Sequence, residues 1–202
     1  MSTPVLRTRS GEAIDLDAQR WWSSCSNVDQ KLLSPIVGPV LDVGCGPGRL
    51  VEFLTKRGIE AVGLDVAPGA VRSTRRRGGR ALQRSVFDPI PGQGRWRTAL
   101  LFDGNVGIGG DPAALLARVA ELLCPGGSVV VEVEGPGRRL RSEHVRLESP
   151  GGISQWFPWA WVGVNDVANL AETAGMGISS IDSFDSRHFA TLERPPAASV
   201  VG

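Results

Sequence analysis

Leu41-Asp42-Val43-Gly44-Cys45-Gly46-Pro47-Gly48-Arg49 is the stretch on which the fold turns. A short apolar run, Val40 to Val43, enters a loop with glycine at every second position. Arg49 to Arg57 then has helical spacing, and Gly58 ends that helix as a C′ glycine should. Glycines let a chain turn tightly and let a ligand approach backbone where a Cβ would collide. The loop's free N–H groups and the helix N-terminus then face a polar ligand. The next buried run, Ala61 to Leu64, ends at Asp65. That acid follows Gly44 by about 20 residues, the place where an α/β site sets a carboxylate to accept hydrogen bonds from ribose hydroxyls.

Working outward, strand and helix alternate. Pro68 to Arg77 reads as a helix, Ala81 to Phe87 as a third strand, and Trp96 to Phe102 as a fourth, ended by Asp103. Pro112 to Leu123 is a helix N-capped by Asp111, and Pro125-Gly126-Gly127 turns into a fifth strand, Ser128 to Val133. That strand is apolar on both faces, as parallel strands are. The alternation specifies a doubly wound parallel α/β sheet. Before it, Val5 to Asp17 reads as a small hairpin about Ser10-Gly11, and Asp17 to Ile36 as helix with a break around Ser23 to Ser26. After residue 134 come an exposed, partly alternating ribbon (135–152), an aromatic segment ending in Phe157-Pro158-Trp159-Ala160-Trp161, a helix over Asn165 to Ala174, strands over Gly177 to Ser183 and His188 to Leu192, and a flexible tail from Arg194. We expect one domain over 1–202, with 1–36 as an N-terminal cap and 135–163 as an insertion covering the substrate site.

Composition excludes several classes. The chain has 202 residues, 42% apolar and 21% charged, which suits one folded domain rather than a disordered chain. A net charge of +1 gives no global pull toward nucleic acid or acidic membrane. The three cysteines are scattered and lack CxxC spacing, so neither a disulfide framework nor a metal site is expected. No apolar leader or membrane-length run is present, so the expected setting is cytoplasmic, as monomer or homodimer.

Two familiar phosphate signatures fail. The dinucleotide fingerprint needs Gly or Ala at its sixth position, where this loop has Arg49, and Gly-Lys-Ser/Thr is absent. The motif favours a ligand with a ribose and no pyrophosphate. Residues 41–48 resemble motif I of the class I S-adenosylmethionine (SAM)-dependent methyltransferases, and the resemblance runs through residues 38 to 134. It implies a Rossmann-like seven-stranded sheet whose last strand is antiparallel, and SAM as cofactor. It implies that Gly44, Gly46 and Gly48 face the methionine part of SAM, with Asp42 orienting its amino group and Cys45 also among the cofactor-binding residues. It places Asp65 at the ribose, Ser85, Val86 and Phe87 at the adenine, and Asp103 and Asn105 beside the reactive methyl, with Val66 also among the cofactor-binding residues. Ser85 stands where the family usually has an acid. The Asn-Pro-Pro-Tyr motif of amino-methylating members is absent, and the chain has no tyrosine.

The chain has two histidines, His144 and His188. His144 lies in the insertion and is the candidate general base. Trp21, Trp22, Trp156, Trp159 and Trp161 fall in the cap and insertion, which suits a planar or apolar small substrate. Arg138, Arg139, Arg141 and Arg146 offer anchors for an anionic group. Arg72 to Arg80 reads as a solvated helix face. The preferred reading is a methyltransferase acting on a small, aromatic or apolar molecule. An RNA or protein methyltransferase, and a SAM-binding protein with other chemistry, are the alternatives.

Overall fold

A computed structural model describes residues 4–197, so five residues of the expected tail, 198–202, lie outside it, as do 1–3. Twelve strands and six α-helices are assigned among the described residues. In chain order they are β1 (Val5–Thr8), β2 (Ala13–Asp15), α1 (Ala18–Trp22), α2 (Asn27–Leu33), β3 (Val40–Val43) and α3 (Arg49–Lys56). Then come β4 (Ala61–Asp65), α4 (Pro68–Arg76), β5 (Arg80–Gln83), β6 (Trp96–Leu101), α5 (Pro112–Leu122) and β7 (Leu123–Val133). The chain continues through β8 (Arg141–Ser149), β9 (Gly152–Ile153), β10 (Phe157–Trp161), α6 (Val167–Thr173), β11 (Gly177–Phe184) and β12 (Arg187–Glu193).

The main sheet has seven strands in the order β11-β12-β7-β6-β3-β4-β5. Strands β7, β6, β3, β4 and β5 are parallel, while β12 runs antiparallel to both β7 and β11. The central strands are apolar because both faces are covered: Leu41 and Val43 pack in one cluster with Leu64, Leu101, Leu115 and Leu122, and Val40 packs in the other with Leu50, Leu54 and Phe102. Each such side chain contributes about 1.5–3 kcal/mol by leaving water. The strand order reverses between β3 and β6, so the crevice at their carboxyl ends is the ligand-binding position of this architecture.

Two boundaries differ from expectation. The third strand stops at Gln83 rather than Phe87, because Asp88 turns the chain: its carboxylate accepts the Ser85 N–H at 3.0 Å and its own N–H donates to the Ser85 carbonyl. The fifth strand starts earlier, at Leu123, with a register shift opposite Trp96–Thr98. The helix break around Ser23 to Ser26 is present, and Ser26 caps α2 through a reciprocal box with Asp29.

The cap and the insertion form one element. β1 pairs with β2 and with β8, and β8 pairs with β10, giving a second, antiparallel sheet in the order β10-β8-β1-β2. Its inner face carries Leu6, Ile14, Val145, Leu147, Phe157, Trp159 and Trp161. The sheet sits beside the short 3₁₀ turn after β6 (Asn105–Gly107): Ile108 bridges to Trp159, and the backbone of Ala160 closes on Gly107 so tightly that a Cβ there would collide with its carbonyl.

Candidate active site

The glycine loop divides its labour. Gly44, Gly46 and Gly48 all have positive φ, at 73°, 53° and 89°. A Cβ on Gly44 would lie 2.6 Å from the Asn105 side chain, and one on Gly48 would lie 2.5 Å from Thr74 Oγ1 of α4. A Cβ on Gly46 would meet nothing within 4 Å, so the open side of the loop is at Gly46. The expectation of free loop N–H groups is corrected: Gly44 and Cys45 donate to the Leu64 carbonyl, Gly48 donates to the Cys45 carbonyl, and Gly46 donates to Asp65 Oδ2 at 2.9 Å. The available donors are in the first turn of α3, at Arg49, Leu50 and Val51, where no side chain caps the helix. The Cys45 thiol is buried against Gly63 and Thr74, and burial pushes its pKa up, so its side chain packs rather than facing the crevice.

Three aspartates ring the crevice in different states. Asp65, at the end of β4, accepts the Gly46 N–H and the Ala67 N–H at 2.8 Å, which orients its carboxylate while burial raises its pKa. Asp42 is 1% exposed, and its Oδ2 has no hydrogen-bond partner among the described residues. Burial pushes its pKa up to about 7; Arg49 opposes that shift, and Asp103 and Asp65 add to it. Asp103 adopts φ 58° and is held by Arg49, whose Nη1 and Nη2 lie 2.6 and 3.2 Å from its two oxygens. Its N–H donates to Glu132 at 2.9 Å.

Asp103 belongs to a larger ion network. Arg49 also donates to Asp29; Arg187 donates to Asp29 and, through two nitrogens, to Glu132; Arg20 reaches Asp103 at 3.0 Å and Glu132 at 3.1 Å. Three arginines thus neutralise three acids, and the helices α1 and α2 are tied to the ends of β6, β7 and β12. Within it Arg20 Nε is buried and has no partner among the described residues. An orphaned guanidinium N–H and an orphaned carboxylate oxygen, both placed around Asp103, match the carboxylate and ammonium ends of an amino acid. The methionine part of SAM presents those two groups, so the residues fit the cofactor.

The remaining expected cofactor positions separate. Val66, directly after β4, is 67% exposed, and Phe87, in the turn after β5, is 46% exposed. Phe87 lies against Gly109, while Val86 is buried in the core and Ser85 is engaged in the Asp88 turn. Asn105 Nδ2 donates to the Val43 and Gly44 carbonyls, both at 2.9 Å, which clamps the end of β6 to the glycine loop.

A cavity of about 220 Å³ lies between the two sheets, lined by Leu6, Ile14 and Leu16 from the N-terminal segment, Trp159 and Trp161 from β10, and Asp103, Gly104, Val106, Glu132 and Glu134 from the main sheet's carboxyl edge. Of the five tryptophans, Trp159 and Trp161 line it. Trp156 instead has the Arg9 and Arg146 guanidiniums over its ring, and Trp22 is exposed beside α4, where its carbonyl accepts from Arg77. Trp21, half-buried on α1, is not among the lining residues. His144 is exposed and pairs with Pro158, on the face of β8 opposite Val145, so the structure does not bring it to the cavity. None of Arg138, Arg139, Arg141 and Arg146 lines the cavity; Arg141 and Arg146 pair with Glu12 and Glu148. The sequence reading missed Arg20, Arg49, Glu132 and Glu134. Glu134 had a signal, since it directly follows the fifth strand at the sheet's binding edge. Arg20 had none, because its partners Asp103 and Glu132 lie far along the chain.

The seven-stranded sheet, the glycine loop at its switch point and the acid after β4 define a class I methyltransferase architecture. Residues 17–175 match the methyltransferase domain family, and the chain belongs to that family of SAM-dependent enzymes. It is 38% identical over 120 residues to trans-aconitate 2-methyltransferase of Methylobacterium nodulans, covering 52% of this chain and 44% of that protein. It is 30% identical over 160 residues to a mouse ATP synthase lysine N-methyltransferase, covering 72% and 63%. The chain spans about half the length of the curated relatives it matches. Among solved structures it resembles a SAM-dependent methyltransferase from Bacteroides fragilis in complex with S-adenosylhomocysteine, with a TM-score of 0.80 at 17% identity, covering 96% and 88%. No helix of the described residues is long and apolar enough to cross a membrane.

Proposed function

We propose that this chain transfers a methyl group from SAM to a small molecule with an apolar or aromatic body. The observation that carries the proposal is the cavity between the sheets. It is walled by Leu6, Ile14, Leu16, Trp159 and Trp161 and opens on Asp103-Gly104, at the carboxyl end of β6 beside the glycine loop. SAM supplies an electrophilic methyl, so the hard chemistry is the cofactor's. The chain's own work is to hold both partners and exclude water. Asp42 and Arg20 hold the amino-acid end, Asp65 accepts from the ribose hydroxyls, and Val66 and Phe87 flank the base. The second sheet covers the acceptor. Alignment of this kind removes about 7–11 kcal/mol of barrier.

The test is calorimetric titration with S-adenosylhomocysteine, with NAD as control, followed by a panel of small acceptors scored for S-adenosylhomocysteine release. One-site binding of the first ligand alone, and turnover with apolar acceptors of cavity size, is the expected result. Turnover with RNA or protein but with no small acceptor would overturn the substrate class. Binding without any S-adenosylhomocysteine release would favour a SAM-binding protein with other chemistry.

A further inference from the structure

The cavity's charge is one-sided. Three carboxylates line it, Asp103, Glu132 and Glu134, and among the described residues no lysine, arginine or histidine does. Asp103 and Glu132 are answered by Arg49, Arg20 and Arg187. Glu134 is half-buried at the end of β7, and no ion pair or side-chain hydrogen bond among the described residues engages it. Its backbone is fixed on both sides: the N–H donates to the Val162 carbonyl at 2.8 Å and the carbonyl accepts from Val164 at 2.9 Å. Among the described residues it is therefore the one carboxylate of the lining with no cationic partner, held on a rigid strand end beside an apolar wall.

From this, and resting on the methyltransferase reading above, we propose that the acceptor is an amine, and that Glu134 binds its ammonium group and takes its proton. The apolar body lies against Ile14, Leu16, Trp159 and Trp161. One proton passes from the ammonium to the Glu134 carboxylate. The nitrogen lone pair so freed forms the new N–C bond while the methyl's C–S bond breaks, and that bond's electrons stay on sulfur. The methylated amine leaves as its ammonium, and Glu134 returns its proton to water. An anionic acceptor is disfavoured by the same charge.

The experiment uses three probes that share one ring: 2-phenylethylamine, 2-phenylethanol and 3-phenylpropionate. Each is titrated into the full chain saturated with S-adenosylhomocysteine, by calorimetry. The amine should bind at least tenfold more tightly than the other two. Glu134→Gln, which keeps the shape, should weaken the amine roughly tenfold to a hundredfold and leave the alcohol unchanged. Equal binding of the three probes, tighter binding of the carboxylate, no amine binding at millimolar concentration, or an unchanged Glu134→Gln variant would each overturn the proposal. The two readings fail separately: if S-adenosylhomocysteine itself does not bind, the cofactor reading falls, while intact cofactor binding without amine preference sinks only this inference.

Discussion

Gly46 and Gly48 share a left-handed backbone but face different neighbours, so alanine should report two different things. At Gly48 the new Cβ meets Thr74 at 2.5 Å on top of the strained φ of 89°, and helix α4 must move. Gly48→Ala should lose several kcal/mol of stability, of which about 1–2 kcal/mol is the left-handed backbone alone, in a denaturant titration. At Gly46 only the backbone cost applies, and the Cβ enters open crevice. Gly46→Ala should lose only that about 1–2 kcal/mol in the same titration, less than Gly48→Ala, and should lose affinity for S-adenosylhomocysteine. Asp65→Ala should weaken the same ligand roughly tenfold to a hundredfold by removing a charged acceptor at about 1.5–3 kcal/mol.

Asp42 carries the clearest pH signature. Its folded-state pKa of about 7 lies above its ordinary 3.8, so the folded chain holds a proton the unfolded chain has lost. Stability therefore falls as pH rises from about 4 to 7, and Asp42→Asn should be more stable than the parent at pH 8 and level with it below pH 4. An ammonium bound at Asp42 reverses the preference. Near pH 6 the parent should release close to one proton per S-adenosylhomocysteine bound, read by calorimetry in buffers of different ionisation enthalpy. Asp42→Asn should release none from this site.

At the scale of elements, the ion network holds α1 and α2 on the main sheet. Arg49 is its hub, buried between Asp29 and Asp103. Arg49→Met takes one of two cationic partners from each of Asp29 and Asp103, which keep Arg187 and Arg20, and should cost about 3 kcal/mol, the low end for breaking a buried pair. Asp29 gives the acid limb. Burial raises its pKa, but Arg49 and Arg187 outweigh that and hold it at about 2, below its ordinary 3.8. Its contribution is complete above pH 4 and is lost as pH falls toward 2, so the acid unfolding of the parent should be steeper than that of Arg49→Met.

At the scale of the molecule, two sheets have separate tasks: the seven-stranded sheet forms the cofactor crevice and the smaller sheet walls the cavity. A chain lacking residues 1–16 loses β1 and β2 with Leu6, Ile14 and Leu16, but keeps Arg20, the glycine loop and Asp65. It should bind S-adenosylhomocysteine within a fewfold of the parent and lose turnover of small acceptors. Loss of both would mean that the smaller sheet is needed for the larger one to fold.

Local chemistry determined most of the main sheet. Apolar runs of strand length, glycines needing positive φ, Asp111 before Pro112 and Ser26 before a helix act over a few residues, so the sequence alone specified the alternation, the loop and the acids of the crevice. Tertiary structure decided what depends on contacts between distant segments. The N-terminal hairpin and the insertion read as two caps, but backbone pairing of Val5–Thr8 with Val145–Glu148 makes them one sheet. Period-two alternation then put Val145 inward and His144 outward, which no local signal at His144 foretold. The loop N–H groups were spent on Leu64 and Asp65, and Arg20 was carried to Asp103 and Glu132. Hydrogen bonds and ion pairs across such separations depend on where the folded backbone brings the partners, and that placement is written in no single stretch of the chain.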